Sequence, residues 1–351
     1  MWHASAFADG SYADDFNSPQ NHSFRFRGTT PIVGQPVLNM AVLSISKDAV
    51  ESSRWGLELG GQVGKDSKSF ADSATAPKLD HSVALGHIAR ANVSYLAPVG
   101  SGLTFQGGLF GSLIGEESLY AKDNFNYTRA WISEFSPYLM FGGNASYAFD
   151  ERDRATIYVI NKFFHLTGAN SEPAYGAQFA RKQAPDLNLK ETVFYGPDQH
   201  ETAIRFWRLF SDSIVEWKLG RLSTWLTYDV GTETLAEQAG APRVFWMGGA
   251  AAARWNFSGP WSAAVRPEFY WDRNGRLTGS RQLIAAFTTT LEYRVPCRWA
   301  GAIFRLEHRY DLSTGPGGGF YSGGDAAPGV PGLRPSQHLL IAALILTFET
   351  P

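Results

Sequence analysis

The feature that most constrains this chain is the spacing of the connections between its alternating segments. Segments in which apolar and polar residues alternate are separated first by a long connection and then by a tight one. The tight connections are short runs of turn formers, such as "APVGSG" at 97–102, "DERD" at 150–153 and "FSGP" at 257–260. The long connections include 17–37, 65–85, 118–137 and the Gly/Pro-rich 313–335. An antiparallel meander with this spacing has two unlike ends.

The alternating segments have the two-residue period of β-strands. In "WSAAVRPEFYWDRNG" at 261–275, Val265 and Phe269 alternate with Arg266 and Glu268. Successive side chains of a strand point to opposite faces, so one face is apolar and the other is charged. Most of the segments reach the about 9–11 residues that a tilted strand needs to cross a bilayer. The sixteen predicted strands lie near 4–16, 38–48, 54–64, 86–97, 103–117, 138–149, 153–166, 174–182, 186–196, 205–218, 221–232, 244–257, 261–273, 281–295, 300–312 and 336–349.

Composition narrows the class of protein. The chain has 351 residues, a formal net charge of −2 and 18% charged residues, which argues against a nucleic-acid partner or an acidic tail. Aromatic residues reach 14% and occur with 36 glycines, a mixture that suits strands, tight turns and interfaces. The single cysteine, Cys297, cannot form an intramolecular disulfide and is interpreted as an inert turn residue.

Neither a spanning helix nor a signal peptide is visible in the sequence. The longest apolar run, "LLIAALIL" at 339–346, is far shorter than the about 18 residues that a spanning helix needs. The N-terminal "MWHASAFADG" has no basic region followed by an apolar stretch, so it does not read as a signal peptide. Any membrane crossing is therefore assigned to strands.

The positions of the aromatic residues indicate which face is inside. Trp and Tyr favour the boundary between membrane and water, where a ring meets both apolar and polar surroundings. A soluble sandwich, the alternative, would favour aliphatic residues in the middle of its strands. The apolar faces are therefore predicted to meet lipid, and the charged faces to line a lumen. The aromatic residues near strand ends are Trp217, Trp255, Trp261, Trp271, Trp299, Tyr138, Tyr147, Tyr228 and Tyr310.

These patterns together predict an all-β protein. Short turns at one end and long loops at the other are typical of outer-membrane barrels, whose long loops are extracellular. We expect residues 1–351 to form a single domain, a transmembrane antiparallel up-and-down β-barrel of about 16 strands, with about 14–18 compatible with the pattern.

Several motifs resemble those of the putative β-barrel porin-2 family of Gram-negative outer-membrane proteins. Gly115-Glu116 followed by "NFNYTR" at 124–129 resembles the family's Gly-Glu and Asn-x-Asn-Tyr-Ser-Arg segment, with Thr128 in place of the usual Ser. The resemblance implies an outer-membrane pore and does not name a solute. The later motifs that resemble the family are "FYGPD" at 194–198, "YDVG" at 228–231, "RPEFYWDRNG" at 266–275 and "RLEHRYD" at 305–311.

Two sets of polar residues are candidates for the functional site. The inward rows of three late strands can pair across the ladder as a structural network, or form a charged stripe that lines the pore. The loop at 118–137 can fold inward as a constriction, or remain an ordinary surface loop. The candidate pore-lining residues are Arg266, Glu268, Asp272, Glu292, Arg294, Arg305, Glu307, Arg309 and Asp311. The candidate constriction residues are Glu116, Glu117, Asn124, Asn126 and Arg129, with Lys122 and Asp123 beside them.

Enzymatic motifs are not evident. No Gly-x-Ser-x-Gly elbow occurs, and "GPGGG" at 315–319 lacks the Lys-Ser/Thr of a phosphate-binding loop. The eight histidines are scattered, and His87, His165 and His308 are assigned to strands without Cys or His partners for a metal. The sequence therefore predicts a protein that is not an enzyme, with no catalytic residue, cofactor or metal.

The predicted function is that of an outer-membrane porin, a passive channel for small hydrophilic solutes or ions. An outer-membrane barrel hydrolase and a structural or adhesive barrel without transport remain as alternatives. The expected partners are outer-membrane lipid and lipopolysaccharide, the outer-membrane insertion machinery and the solutes, but no nucleic acid. Homo-oligomeric assembly stays open, and the predicted location is the cell outer membrane of a Gram-negative organism.

Overall fold

The computed structural model describes residues 2–68, 85–164, 166, 170–295 and 300–350. His165, Cys297, Trp299 and most of the predicted loop 65–85 lie outside the described residues. Sixteen strands form one closed antiparallel barrel, in which β1 pairs with both β2 and β18. The barrel strands are β1 (Trp2–Asp15), β2 (Pro36–Lys47), β3 (Trp55–Val63), β4 (Ile88–Ala97), β5 (Leu103–Gly111), β6 (Leu139–Ala148), β7 (Asp153–Ile160), β8 (Ala174–Ala184), β9 (Leu187–Gly196), β10 (Arg208–Leu219), β11 (Leu222–Thr234), β12 (Arg243–Asn256), β13 (Trp261–Asp272), β14 (Gln282–Val295), β15 (Ala300–Ser313) and β18 (Ser336–Glu349).

The helical elements are short and lie in the loops. Within the described ranges, the complete helical elements are α1 (Trp131–Glu134) and three 3-10 helices at Asp66–Lys68, Ala121–Asp123 and Ile204–Phe206. Among the described residues, no helix has the length and apolar character needed to cross a membrane. The long connections are numbered here in barrel order, so that L1 is 16–35, L2 is 64–87, L3 is 112–138, L4 is 161–173 and L8 is 314–335.

The predicted fold class and the sixteen strands are confirmed, with three local differences. β5 ends at Gly111 and β7 at Ile160, several residues before their predicted ends, because the chain leaves the sheet there and enters the loops. L8 contains a two-stranded hairpin, β16 (Phe320–Ala327) and β17 (Val330–Arg334), which the sequence analysis assigned to an irregular loop.

The two faces of the strands have the predicted characters. On β13, Val265 is 40% exposed on the outer face, whereas Arg266 is fully buried inside. Aromatic residues pair on the outer face at the short-turn end, where Trp55 packs on Tyr95 and Trp261 on Tyr293 with ring centroids 4.7 Å apart in both pairs. An outer apolar face with an aromatic belt is the surface that a lipid bilayer requires.

A buried apolar cluster occupies part of the barrel interior. L3 contributes Tyr127 and Trp131 to this cluster, L1 contributes Phe24, and the inner face of β18 contributes Ile341 and Ile345. These contacts explain why the last strand is apolar on both faces, since its outer side chains belong to the apolar outer surface of the barrel and its inner ones meet loops. The interior therefore combines polar rows with a core that the loops build.

Candidate functional site

L3 leaves the wall after β5 and crosses the inside of the barrel. Gly115 has a φ of +87°, a left-handed conformation that glycine adopts without strain, and it turns the chain across the lumen. On the far wall, the Gly115 amide donates to Asp212 Oδ2 at 2.8 Å, and Gln178 Nε2 donates to the Leu113 carbonyl at 2.6 Å. The first turn of L3 is therefore fastened to β8 and β10.

The centre of L3 is held by a single carboxylate on β15. Glu307 is buried and accepts hydrogen bonds from the backbone amides of Tyr127, at 2.5 Å, and Thr128, at 2.9 Å. The Thr290 hydroxyl donates to the same carboxylate at 2.7 Å. Charge-assisted bonds to backbone amides are stronger than neutral ones, so Glu307 fixes both the position and the direction of the loop.

A second anchor joins L3 to β13. Arg266 Nη1 donates to Glu117 Oε1 at 2.7 Å, and its Nη2 lies 3.3 Å from Glu268 Oε1. Glu268 also accepts the backbone amide of Trp131, which is the first residue of α1, at 2.5 Å. The arginine is thus shared between one carboxylate of the wall and one of the loop.

The tip of L3 is held by Arg305 on β15. Its guanidinium donates to three loop carbonyls, those of Ala121 at 2.7 Å, Asn124 at 2.7 Å and Asn126 at 3.1 Å. Its Nε donates to Glu292 Oε2 at 2.8 Å. Because one planar guanidinium collects three carbonyls that follow each other closely, it sets the local shape of the tip.

The returning segment of L3 contacts a third pair of wall charges. Arg309 Nη1 donates to the Arg129 carbonyl at 3.0 Å, and its Nη2 lies 2.8 Å from Asp311 Oδ1. The indole of Trp131 donates to the same Asp311 oxygen at 2.8 Å, and Gln337 donates to the other oxygen at 2.9 Å. This part of the wall therefore anchors both the backbone and the aromatic ring of the loop.

L1 and the first residues of L2 pack over L3 from the long-loop end. Arg27 of L1 donates to the Arg129 carbonyl at 2.7 Å and lies 3.1 Å from Glu134. Asp66 of L2 accepts the backbone amide of Thr30 at 2.8 Å and lies 3.7 Å from Arg129. Burial raises the pKa of Asp66 to about 8, so this carboxyl keeps its proton at pH values at which a carboxyl in water has lost it.

All nine candidate pore-lining residues lie on inward positions of the strands, and eight of them are buried from solvent. Arg266, Asp272, Glu307, Arg309 and Asp311 are fully buried, and Glu268, Glu292 and Arg305 are nearly so. Arg294, with 46% of its side chain exposed, faces water. The charged stripe is therefore mainly the surface on which L3 rests, because the loop carbonyls and amides satisfy it. A direct role of this stripe in conduction remains a prediction.

The five candidate constriction residues all lie on L3 inside the barrel. All but Glu116 are buried. Glu117 and Asn126 contact Arg266 and Thr290 of the wall. The side chains of Asn124 and Arg129 bond within L3 and, for Arg129, to Asp66 of L2. Glu116 turns toward β9 and β10, where Lys190 lies 3.5 Å from Glu116 and 3.0 Å from Glu216. Burial raises the pKa of Glu116, and the neighbouring Glu216 acts in the same direction.

The opposite wall carries inward residues that the sequence analysis did not single out. Asn92 donates to Glu58 at 2.8 Å, Gln106 to Asn92 at 2.9 Å, and Asn144 to Gln106 at 2.9 Å. This amide ladder crosses β3, β4, β5 and β6, and Glu58, Gln106 and Asn144 are only half-buried. In the described part of the chain, these amide side chains make no hydrogen bond to L3. The same two-residue period marks them in the sequence, but neutral amides do not stand out as a site.

A further cluster lies at the long-loop end of β10. Arg208 is fully buried, with its guanidinium 2.8 Å from Asp198 and 3.0 Å from Glu233. The rings of Phe163 and Trp246 lie 5.0 and 5.1 Å from it, within the range of a cation–π contact. This cluster ties the start of L4 to the inner wall.

The described histidines do not converge with a nucleophile. His308 faces outward, 3.2 Å from His338, and His87 contacts the Gln62 carbonyl at 3.2 Å. Within the ranges that the structure describes, no group of three or more His, Cys, Asp or Glu residues is arranged to hold a metal ion.

A family model described as "Putative beta-barrel porin-2, OmpL-like" matches residues 2–348. No curated protein sequence matches the chain significantly. Among solved structures, the anion-selective porin from Comamonas acidovorans is similar with a TM-score of 0.59 and 11% identity, covering 99% of both chains. The complex of Salmonella typhi OmpF with daunomycin gives 0.58 and 9%, covering 100% of this chain and 97% of that one. Outer-membrane expressed OmpT of Vibrio cholerae gives 0.55 and 10%, with the same coverage. At these identities the likeness concerns the fold.

Proposed function

Because the chain belongs to the putative β-barrel porin-2, OmpL-like family and is an outer-membrane porin, we propose that it is a passive diffusion channel for small hydrophilic solutes. The observation that carries this proposal is the pairing of a closed barrel, apolar outside and partly polar inside, with a loop that occupies one side of its lumen. Such a channel needs neither a cofactor nor a catalytic residue, and we propose none.

In this proposal the solute path follows the amide ladder of β3–β6. L3 is fastened to β8–β10 and to β13–β15, so the interior beside Glu58, Gln106 and Asn144 is the part that retains contact with water. Neutral amides hydrogen-bond to solutes without holding them strongly, which suits conduction. L3 is accordingly the constriction, and it sets the size limit.

The orientation and partners follow from the same architecture. We propose that the long loops, L8 among them, are extracellular and that the short turns face the periplasm. The apolar outer face would contact outer-membrane lipid and lipopolysaccharide after delivery by the insertion machinery. A homo-oligomer is compatible with this surface, and one similar solved structure is described as a trimer form.

Current through purified protein in a planar bilayer tests the proposal. We expect ohmic single-channel current that increases when residues 120–126 are deleted, because the removed tip narrows the lumen. Deleting four residues of the exposed hairpin in L8, 325–328, is the matched control and should leave conductance unchanged. Correctly folded barrel that passes no current at any voltage would contradict the proposal and favour a structural barrel.

A further inference from the structure

The inner wall near the short-turn end carries an excess of positive charge around Glu292. Oxygen Oε1 of this carboxylate accepts from Arg254 Nη2 at 2.7 Å and lies 3.3 Å from Arg294 Nη2. Its other oxygen accepts from Arg305 at 2.8 Å. Three guanidinium groups therefore share one carboxylate, and two of them compete for the same oxygen.

The three arginines differ in how far their donors are used. Arg305 is buried, and its Nη1 and Nη2 groups donate hydrogen bonds to the L3 carbonyls. Arg254 and Arg294 each make one side-chain hydrogen bond within the described residues, and both go to Glu292. The Nε of Arg254 is buried without a hydrogen-bond partner there. Guanidinium has five donors, so most of the donors of these two arginines are open.

The two arginines are exposed on the lumen side of the wall. Arg254 lies on β12 and Arg294 on β14, both on inward positions within two residues of the strand ends. Their side chains are 19% and 46% exposed, whereas Glu292 between them is 3% exposed. The two guanidinium groups repel each other, and a single carboxylate offsets only part of this repulsion where water is partly excluded. A further anion would therefore stabilise the pair.

We propose that Arg254 and Arg294 form a binding site for a small oxyanion, a carboxylate or a phosphate, at the short-turn mouth of the lumen. The planar forks of two neighbouring arginines match the oxygens of such a group, which would add the negative charge that Glu292 alone does not provide. The proposal extends the proposed function and rests on it for the role of the site, which is to hold anionic solutes at the channel mouth. Phe125 of L3, whose ring lies 5.9 Å from Arg254, bounds the site on the loop side.

Isothermal titration calorimetry of the folded barrel in detergent, at low ionic strength, tests this site without requiring current. Inorganic phosphate and succinate are the two probes, and binding of either or both identifies the class of oxyanion. Arg254→Ala with Arg294→Ala should weaken binding at least about tenfold, the loss expected when one charge-assisted hydrogen bond is removed. Lys218→Ala is the matched control, because Lys218 is another exposed inward cation at the same end, and it should bind as the wild type does.

The outcomes separate the site from the channel. The proposal would be overturned if neither probe binds, or if the double variant binds as tightly as the wild type. It would also be overturned if Lys218→Ala loses as much affinity as the double variant, because anions would then be attracted by the positive charge of this end in general. If heat-modifiable gel mobility shows that the double variant does not fold, Arg254→Lys with Arg294→Lys replaces it. That variant retains the charges and lacks the forks, and the same weakening is expected. Anion binding by a barrel that passes no current would support the site and contradict the channel.

Discussion

Two walls of this barrel follow the same alternating pattern but have different roles inside it. On β13–β15 the inward row is charged, and L3 covers Arg266, Glu307 and Arg309 completely. On β3–β6 the inward side carries the amide ladder, in which Gln106 and Asn144 remain half-buried and bonded to each other. Strong charges inside a barrel attract a loop that satisfies them, whereas neutral amides pair along the wall and leave the space beside them open.

The largest expected effect comes from removing the central anchor of the charged wall. Glu307→Ala leaves the amides of Tyr127 and Thr128 and the Thr290 hydroxyl without their acceptor. Each buried donor left unpaired costs about 1–3 kcal/mol, so we expect L3 to detach while the barrel still folds. Limited proteolysis should then cleave L3, and single-channel conductance should rise.

Gln106→Ala is the matched control on the amide wall. It removes two hydrogen bonds within the ladder but none to L3, so the loop should remain protected from protease. Cleavage of L3 in both variants, or in neither, would remove the difference between the two walls.

A smaller effect is expected from placing one charge on the amide wall. Asn144→Asp adds a negative charge beside the proposed path with almost no change in shape, so the reversal potential in a salt gradient should shift toward cations. The shift should fade at about 1 M salt, where the screening length is about 3 Å. Asn21→Asp in L1 is the control, and an equal shift there would indicate that the path does not follow the ladder.

The smallest effect concerns pH. The pKa of Asp66 is raised by burial to about 8, and that of Glu116 is also raised by burial. A carboxyl whose pKa is higher in the docked state binds more protons there, so docking weakens as pH rises from about 4 to about 8. Protease protection of L3 should therefore be greater at pH 5 than at pH 8. Asp66→Asn should reduce this dependence, and an unchanged dependence in the variant would show that other groups cause it.

The sequence predicts the barrel well because strand alternation and turn residues are local signals. The strands, their faces and the aromatic residues at the short-turn ends can all be read from residues that are close together in the sequence. The hairpin in L8 was missed because its eight glycines and three prolines at 315–332 have the composition of an irregular loop.

The interior was harder to predict because its contacts join distant parts of the chain. Glu307 meets Tyr127 across 180 positions, so no local pattern indicates that L3 covers this carboxylate. The charged rows were correctly placed inward, but their burial depends on the path of the loop. The amide ladder has the same period as the charged rows, and it was overlooked because Asn92, Gln106 and Asn144 carry no charge.

Cysteine accessibility on the two walls tests the central claim most directly. In a Cys297→Ser background, Asn144→Cys and Thr288→Cys place one thiol on each inward row, and a small cationic methanethiosulfonate reagent is added during bilayer recording. Thr288 is fully buried beneath L3 and Asn144 is half-buried. We expect rapid modification at 144 with a stepwise fall in current, and no change at 288. Rapid modification at 288 with none at 144 would show that solutes pass along the charged wall and would contradict the account.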